Sequence, residues 1–226
     1  MPAAVTVDVD TPVGLARLHT HRVEGRSTTT LVLGHGAGGG VGARDLVALA
    51  TRLPALGVTV VLVEQPWRTA GRKIAVAPAQ LDLAWRAVLA SDEFGDRLGD
   101  RSGCLVVGGR SAGARVACRT ASAVGADGVL ALAFPLHPPG RPGRSRADEL
   151  LAVTVPLLVV QGGRDAFGPA AEFPPGICVA EVPHADHAFA VPKRGTATQA
   201  AALAEVCRAA VSYLGKNFDP GLLEQV

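Results

Sequence analysis

Short, uninterrupted apolar runs alternate with segments of helical spacing along most of this chain, and turn-forming residues separate them. A run that is apolar at every position, rather than at every second one, is the pattern of a strand covered on both faces. Such strands belong to parallel sheets, whose crossover helices pack on either side. Residues 30–33, 58–63 and 104–107 read this way, and 128–133, 155–160 and 177–182 also read as strands. Between them, residues 43–53 place Leu46, Leu49, Ala50 and Leu53 on one helical face, and residues 80–91 do the same with Leu81, Ala84, Trp85, Val88 and Leu89. Residues 112–124, a short segment at 147–152 and a long one at 196–214 also read as helices. Residues 5–9 and 15–23 alternate more loosely about Thr11-Pro12-Val13-Gly14 and predict a β-hairpin. Polar loops are expected from Pro66-Trp67-Arg68 and over the Pro/Gly/Arg-rich stretch 135–146. The expected fold is α/β, with a mostly parallel central sheet, an N-terminal β-hairpin and helices on both faces. A length of 226 residues, without repeat or linker, fits one domain over 1–226.

The charge balance narrows the partners. A formal net charge of +2 is spread along the chain, so the basic cluster of a nucleic-acid footprint is missing. Cys104, Cys118, Cys178 and Cys207 lie far apart in apolar segments and without metal-ligand spacing. They read as small buried hydrophobes in a reducing compartment. The first eleven residues include Asp8 and Asp10 and lack the basic-then-apolar pattern of a signal peptide. No apolar run reaches the ~20 residues that span a bilayer. A soluble, cytoplasmic protein without a membrane or nucleic-acid partner is expected. No pattern fixes an oligomeric state.

Ligand-handling residues of such sheets gather at the carboxyl ends of the strands, and there the chain carries Gly108-Gly109-Arg110-Ser111-Ala112-Gly113. A serine between glycines at a sharp strand-to-helix turn has the form of a nucleophile elbow, where a larger side chain two positions away would collide with its neighbours. With 27 glycines and 7 serines, the five-residue pattern arises by chance in about one such chain in ten, so its surroundings decide. A serine hydroxyl needs a base to take its proton, and the base needs a carboxylate to fix its tautomer. Asp165, after a glycine turn that follows a strand, is better placed than Asp148, in a helix, or Asp127, at the opposite sheet edge. Pro183-His184-Ala185-Asp186-His187-Ala188-Phe189 offers two histidines and a second carboxylate. His187 is preferred as base, because Phe189 can anchor the loop and turn the imidazole inward. The order Ser111, Asp165, His187 then forms a triad. Charge developing on an attacked carbonyl oxygen needs preorganised N–H donors. The backbone N–H groups of Ala112 and of Ala37, in the glycine-rich turn 34–40, are the candidates. His35 is expected to pack within that turn.

These residues together resemble the α/β-hydrolase superfamily over nearly the whole chain. The resemblance is carried by Gly34-His35-Gly36-Ala37-Gly38-Gly39, the elbow around Ser111, Gly163-Arg164-Asp165 and Asp186-His187-Ala188-Phe189. It is nearest to the small, lid-poor branch, which includes dienelactone-hydrolase-like proteins and the hydrolase-like domain of a subunit of the NSL histone-acetyltransferase complex. The resemblance implies an eight-stranded sheet, a Ser111-Asp165-His187 triad and no cofactor. Dienelactone hydrolase itself has a cysteine at the elbow. Ser111 instead favours a small ester or thioester as substrate. The stretch 134–154, where a lid would insert, is too short for a cap domain. An accessible site lined by Trp67, Phe134, Phe167 and Phe189 follows. Arg141, Arg144 and Arg146, like Arg68, Arg72 and Lys73, read as solvated loop cations rather than an acid-binding rim.

Two other readings compete. Gly34-x-Gly36-x-x-Gly39 after a strand, with Glu64 closing the next one, matches a dinucleotide-binding fingerprint and an NAD(P)-binding oxidoreductase. It leaves Ser111, Asp165 and His187 without a role. The superfamily branch also contains non-catalytic interaction modules, for which an intact triad would be incidental.

Overall fold

Each apolar run becomes a strand of one eight-stranded sheet in the computed structural model, which describes residues 4–23, 27–98 and 103–225. Residues 1–3, part of the stretch read above for a signal peptide, lie outside the described residues. The strands are β1 (Val5–Thr11), β2 (Gly14–His21), β3 (Thr29–Gly34), β4 (Val58–Glu64), β5 (Cys104–Arg110), β6 (Gly128–Leu132), β7 (Leu157–Gly162) and β8 (Val179–Val182). Side by side they run β1-β2-β4-β3-β5-β6-β7-β8. β1 and β2 form the expected hairpin, β2 runs antiparallel to β4, and the remaining neighbours are parallel. The helices are α1 (Arg44–Arg52), α2 (Pro66–Thr69), α3 (Pro78–Leu89), α4 (Asp92–Leu98), α5 (Ala112–Thr120), α6 (Ala147–Leu151) and α7 (Gln199–Asn217).

The unbroken apolar pattern of the strands follows from a core on each face of the sheet. On β4, Val61 and Val63 join one cluster while Val58, Val60 and Leu62 join the other. The same alternation separates Val107 from Val106, and Val129 and Ala131 from Leu130 and Leu132. α3 and α5 cover the first face, with Trp85 fully buried. α1 and α7 cover the second, through Leu46, Leu49, Val206 and Leu214. Each fully buried Val or Leu contributes about 1.5–3 kcal/mol relative to exposure, so both layers hold the sheet.

Several elements differ from the sequence reading. Pro66-Trp67-Arg68 forms the short helix α2 rather than opening a loop, because Pro66 occupies its first position, where no N–H is needed. α4 was not foreseen. It starts at Ser91, whose hydroxyl accepts from the Phe94 N–H at 3.2 Å, and it buries the Phe94 ring. α5 ends at Thr120, and residues 121–125 turn the chain towards β6. β7 begins after Pro156, whose carbonyl accepts from the Val129 N–H and the Tyr213 hydroxyl. α7 begins one residue after Thr198, which caps it by accepting from the Ala201 N–H. The cysteines do not share one environment either: Cys118 and Cys207 are buried, Cys104 is intermediate and Cys178, beside the edge strand β8, is exposed. Among the described residues, no helix is long and apolar enough to cross a membrane.

Candidate active site

The parallel strands end on one edge, and the loops leaving β3, β5, β7 and β8 carry the candidate residues there. Ser111, between β5 and α5, has φ 54° and ψ −109°, a region costly for any residue with a β-carbon. The surroundings enforce it. The Ser111 N–H donates to the Leu132 carbonyl at 2.9 Å, and α5 starts directly against the end of β3. A β-carbon at Gly109 would lie 2.5 Å from the Gly34 carbonyl oxygen, and one at Gly113 would lie 2.4 Å from it. The glycines flanking the serine are therefore demanded by backbone contact two positions either side, as the elbow pattern predicts.

Three side chains from three loops meet at this turn. His187 Nε2 lies 3.0 Å from Ser111 Oγ, and His187 Nδ1 lies 2.8 Å from Asp165 Oδ2. Both bonds are satisfied when Nδ1 carries the ring proton, donating to Asp165, and Nε2 accepts from the serine hydroxyl. Asp165 has no exposed side-chain surface. Its carboxylate also accepts from Gln161 Nε2 at 2.9 Å and from the Phe167 N–H at 2.8 Å, bonds that replace water around the charge. Gln161, at the end of β7, was not singled out in the sequence. A lone amide side chain in a strand otherwise made of leucine, valine and a terminal glycine is the sequence signal that marks it.

The His187 loop is built for this placement. Asp186, the rival carboxylate, turns back to accept from the Ala188 and Ala190 N–H groups at 2.8 and 2.9 Å. Phe189, with φ 50°, is fully buried in the α1–α7 core and anchors the loop. His184, with φ 62°, is exposed and borders a different depression, beside Thr198 and Glu205. The Phe167 ring lies against the His187 imidazole with centroids 4.2 Å apart.

The glycine turn after β3 closes the remaining side. Ala37 and Ala112 both border a small cavity of about 10 Å³, together with Gly36, Gln65 and Trp67. That is room for roughly one water-sized group. His35 keeps to the turn: Nδ1 donates to the Gly36 carbonyl at 3.0 Å and Nε2 accepts from the Gln65 N–H at 3.1 Å. Burial holds its pKa below the ordinary histidine value, which suits a neutral structural ring. The tight glycines of the dinucleotide-like fingerprint are used internally, Gly34 against Gly113 and Gly36 against Arg110 and Ser111, and α1 starts only at Arg44.

The four aromatic residues expected to line a substrate site divide. Phe167 is half-buried beside His187. Trp67 is 4% exposed and borders both the small cavity and a groove of about 530 Å³ between the β1–β2 turn, α2 and Gln80. Phe134 and Phe189 line nothing. Both are fully buried, Phe134 edge-on to Phe173 in the α3–α5 core and Phe189 in the opposite one. Arg141 and Arg144 are exposed, whereas Arg146 donates to the Pro135 carbonyl at 2.8 Å.

A second histidine fastens the Asp165 loop from outside. The His137 N–H donates to the Phe167 carbonyl at 3.0 Å, and its ring nitrogens face two acceptors, the Pro138 carbonyl at 2.9 Å and Glu172 at 2.6 Å. Two acceptors call for the doubly protonated ring, and the Pro138 carbonyl followed by Glu172 raises its pKa. A raised folded-state value stabilises fully below the unfolded-state pKa of about 6.5. That contribution is lost as pH rises through the folded-state value. The margin in thermal midpoint of the wild type over His137→Gln is therefore expected to shrink by roughly 2 °C as pH is raised from 6 through the histidine range. His137→Gln should remove that component in unfolding scans at stepped pH.

Comparison with known proteins agrees with this architecture. Residues 27–215 match a family model described as an alpha/beta hydrolase domain. A lidless a/b serine hydrolase from Xanthomonas campestris superposes with a TM-score of 0.70 at 20% identity, covering 96% of each chain. An alpha-beta serine hydrolase homologue from Coxiella burnetii gives 0.70 at 17% identity, over 92% of this chain and 98% of that one. Dienelactone hydrolase from Anabaena variabilis gives 0.68 at 16% identity, over 95% and 98%. No curated protein matches by sequence. With the family model covering residues 27–215, which include both the elbow and the His187 loop, the chain belongs to the alpha/beta hydrolase family.

Proposed function

We propose that the protein is a serine hydrolase that cleaves a small ester or thioester through an acyl-enzyme. The observation that carries this reading is the continuous hydrogen-bonded chain Ser111–His187–Asp165, at 3.0 and 2.8 Å. Ser111 Oγ attacks the carbonyl carbon while its proton passes to His187 Nε2. Asp165 holds Nδ1–H and stabilises the imidazolium that forms. Negative charge on the carbonyl oxygen is met by the N–H groups of Ala37 and Ala112. Ala112 opens α5 and so has no intrahelical acceptor. The imidazolium then protonates the departing alcohol or thiol. Water, activated by the same histidine, attacks the acyl carbon and restores Ser111. All these groups come from the chain, so the reaction is proposed to need no cofactor, and the protein to act in the cytoplasm.

The short loop between β6 and α6 supports an open site suited to small substrates. A fluorophosphonate probe tests the reading, since it phosphonylates only an activated serine. Rapid labelling confined to the Ser111 peptide is expected. A folded protein that stays unlabelled after prolonged exposure would show instead a hydrolase-fold interaction module. The Phe167 ring, with its centroid 4.2 Å from that of the His187 imidazole, packs the base against its partners. Phe167→Leu is therefore expected to lower kcat on a p-nitrophenyl ester roughly threefold, with the thermal midpoint unchanged.

A further inference from the structure

Arg110 fills the variable position of the elbow pattern, immediately before the nucleophile, and its side chain serves three other segments. Nη2 donates to the His187 carbonyl oxygen at 2.7 Å. Nε lies 3.3 Å from Asp45 Oδ2, in the first turn of α1. Nη1 borders the glycine turn so closely that a β-carbon at Gly36 would come within 3.1 Å of it. The guanidinium is 13% exposed, and the Asp45 carboxylate is fully buried. One planar group thus ties the elbow, the glycine turn, the start of α1 and the histidine loop together.

The chemistry of the pair argues against a purely packing role. Burying a carboxylate and a guanidinium costs several kcal/mol per ion, and an apolar pair of similar volume often stabilises as well or better. What the ion pair adds is direction. The guanidinium donates through Nη2 to the His187 carbonyl while its Nε edge faces the Asp45 carboxylate as a charge pair at 3.3 Å without a hydrogen bond, an arrangement that lysine, with one nitrogen, cannot reproduce. The neighbouring loop bonds hold residues 186 and 188–190, through Asp186 and through Gln199 Nε2 on the Phe189 carbonyl. The peptide of His187 itself is held from Arg110.

We propose that Arg110, anchored by Asp45, is a positioning residue that sets the His187 imidazole against Ser111 and the glycine turn. The proposal rests on the serine-hydrolase reading for its kinetic arm, and its spectroscopic arm stands apart from turnover. Four proteins are compared: wild type, Arg110→Lys, Arg110→Met and the double variant Asp45→Asn/Arg110→Met, which leaves no buried charge without a partner. Each is assayed with p-nitrophenyl acetate, unfolded thermally, and examined by proton NMR for the low-field resonance of a proton held between His187 Nδ1 and Asp165.

A misplacement of about 1 Å costs on the order of 10²-fold in rate. Arg110→Met is expected to lower kcat by about that factor, with KM changed less than about threefold, and to lose or broaden the resonance. Arg110→Lys, which keeps a cation beside Asp45, should retain the resonance and fall about tenfold in kcat. The double variant should regain thermal stability lost in Arg110→Met without regaining kcat or the resonance. Wild-type kcat and a sharp resonance in the double variant would overturn the proposal, leaving Arg110 as packing alone. If the wild type neither labels nor hydrolyses, the hydrolase reading falls. The resonance then still decides: lost in the double variant it upholds the positioning role, unchanged it ends it.

Discussion

Ser111→Ala is expected to lower turnover of an activated ester by about 10⁴–10⁶-fold while leaving the fold intact. The substitution removes one oxygen, whose bond is to His187 Nε2 at 3.0 Å, and keeps the β-carbon that already occupies the φ 54° turn. The backbone contacts that enforce the turn, from Leu132 and Gly34, do not involve the hydroxyl. Loss of rate should therefore be separable from loss of structure. Steady-state assay beside circular dichroism makes the comparison. A variant with near-wild-type rate would mean that the measured hydrolysis comes from elsewhere on the molecule.

The second large effect is structural. Gly113→Ala adds one methyl group, and that methyl would sit 2.4 Å from the Gly34 carbonyl oxygen, 2.5 Å from its carbon and 3.0 Å from the Gly34 α-carbon. All three are backbone atoms. They cannot swing aside, because β3 is paired with β4 on one side and β5 on the other. α5 must lift from the sheet or the end of β3 must bend, and either costs about 3 kcal/mol or more. For a chain of this length that corresponds to roughly 6–12 °C in thermal midpoint. Gly38→Ala, in the same neighbourhood but with open space around its α-carbon, should stay within about 0.5 kcal/mol of wild type. Equal midpoints for the two variants would contradict the close approach of α5 to β3.

The layered architecture was legible because a two-sided core writes itself into the sequence. Val58 to Val63, apolar but for the buried Thr59, keep that character because alternate residues face different helices, and no solvent-facing strand would carry such a run. The meeting of Ser111, Asp165 and His187 was legible for a different reason: the fold places the ends of β5, β7 and β8 on one edge, so a serine, an aspartate and a histidine following those strands in order come together at one point. Orientation within a loop has no such signature. Phe134 and Phe189 follow strands as Phe167 does, yet they point into opposite cores, and only the path of each loop decides this. Short helices were equally hard to see. Among the described residues, those that α2 and α4 bury are Pro66, Trp67 and Phe94, too few positions to show a helical period. Arg110 was hidden most deeply. Its partners, Asp45 and the His187 carbonyl, are distant in sequence, and one of them is a backbone atom that no pattern of residue types records.

The distribution of the site along the chain also has a temporal meaning. Ser111 and its strained turn belong to β5 and α5, but His187 arrives only with the loop after β8, and that loop is pinned through the Phe189 carbonyl by Gln199, the first residue of α7. A chain emerging from the ribosome therefore carries its serine long before the imidazole it bonds to has been made. On the proposed serine-hydrolase reading, the partly made protein would be unreactive, and reactivity would begin only when the last helix has docked.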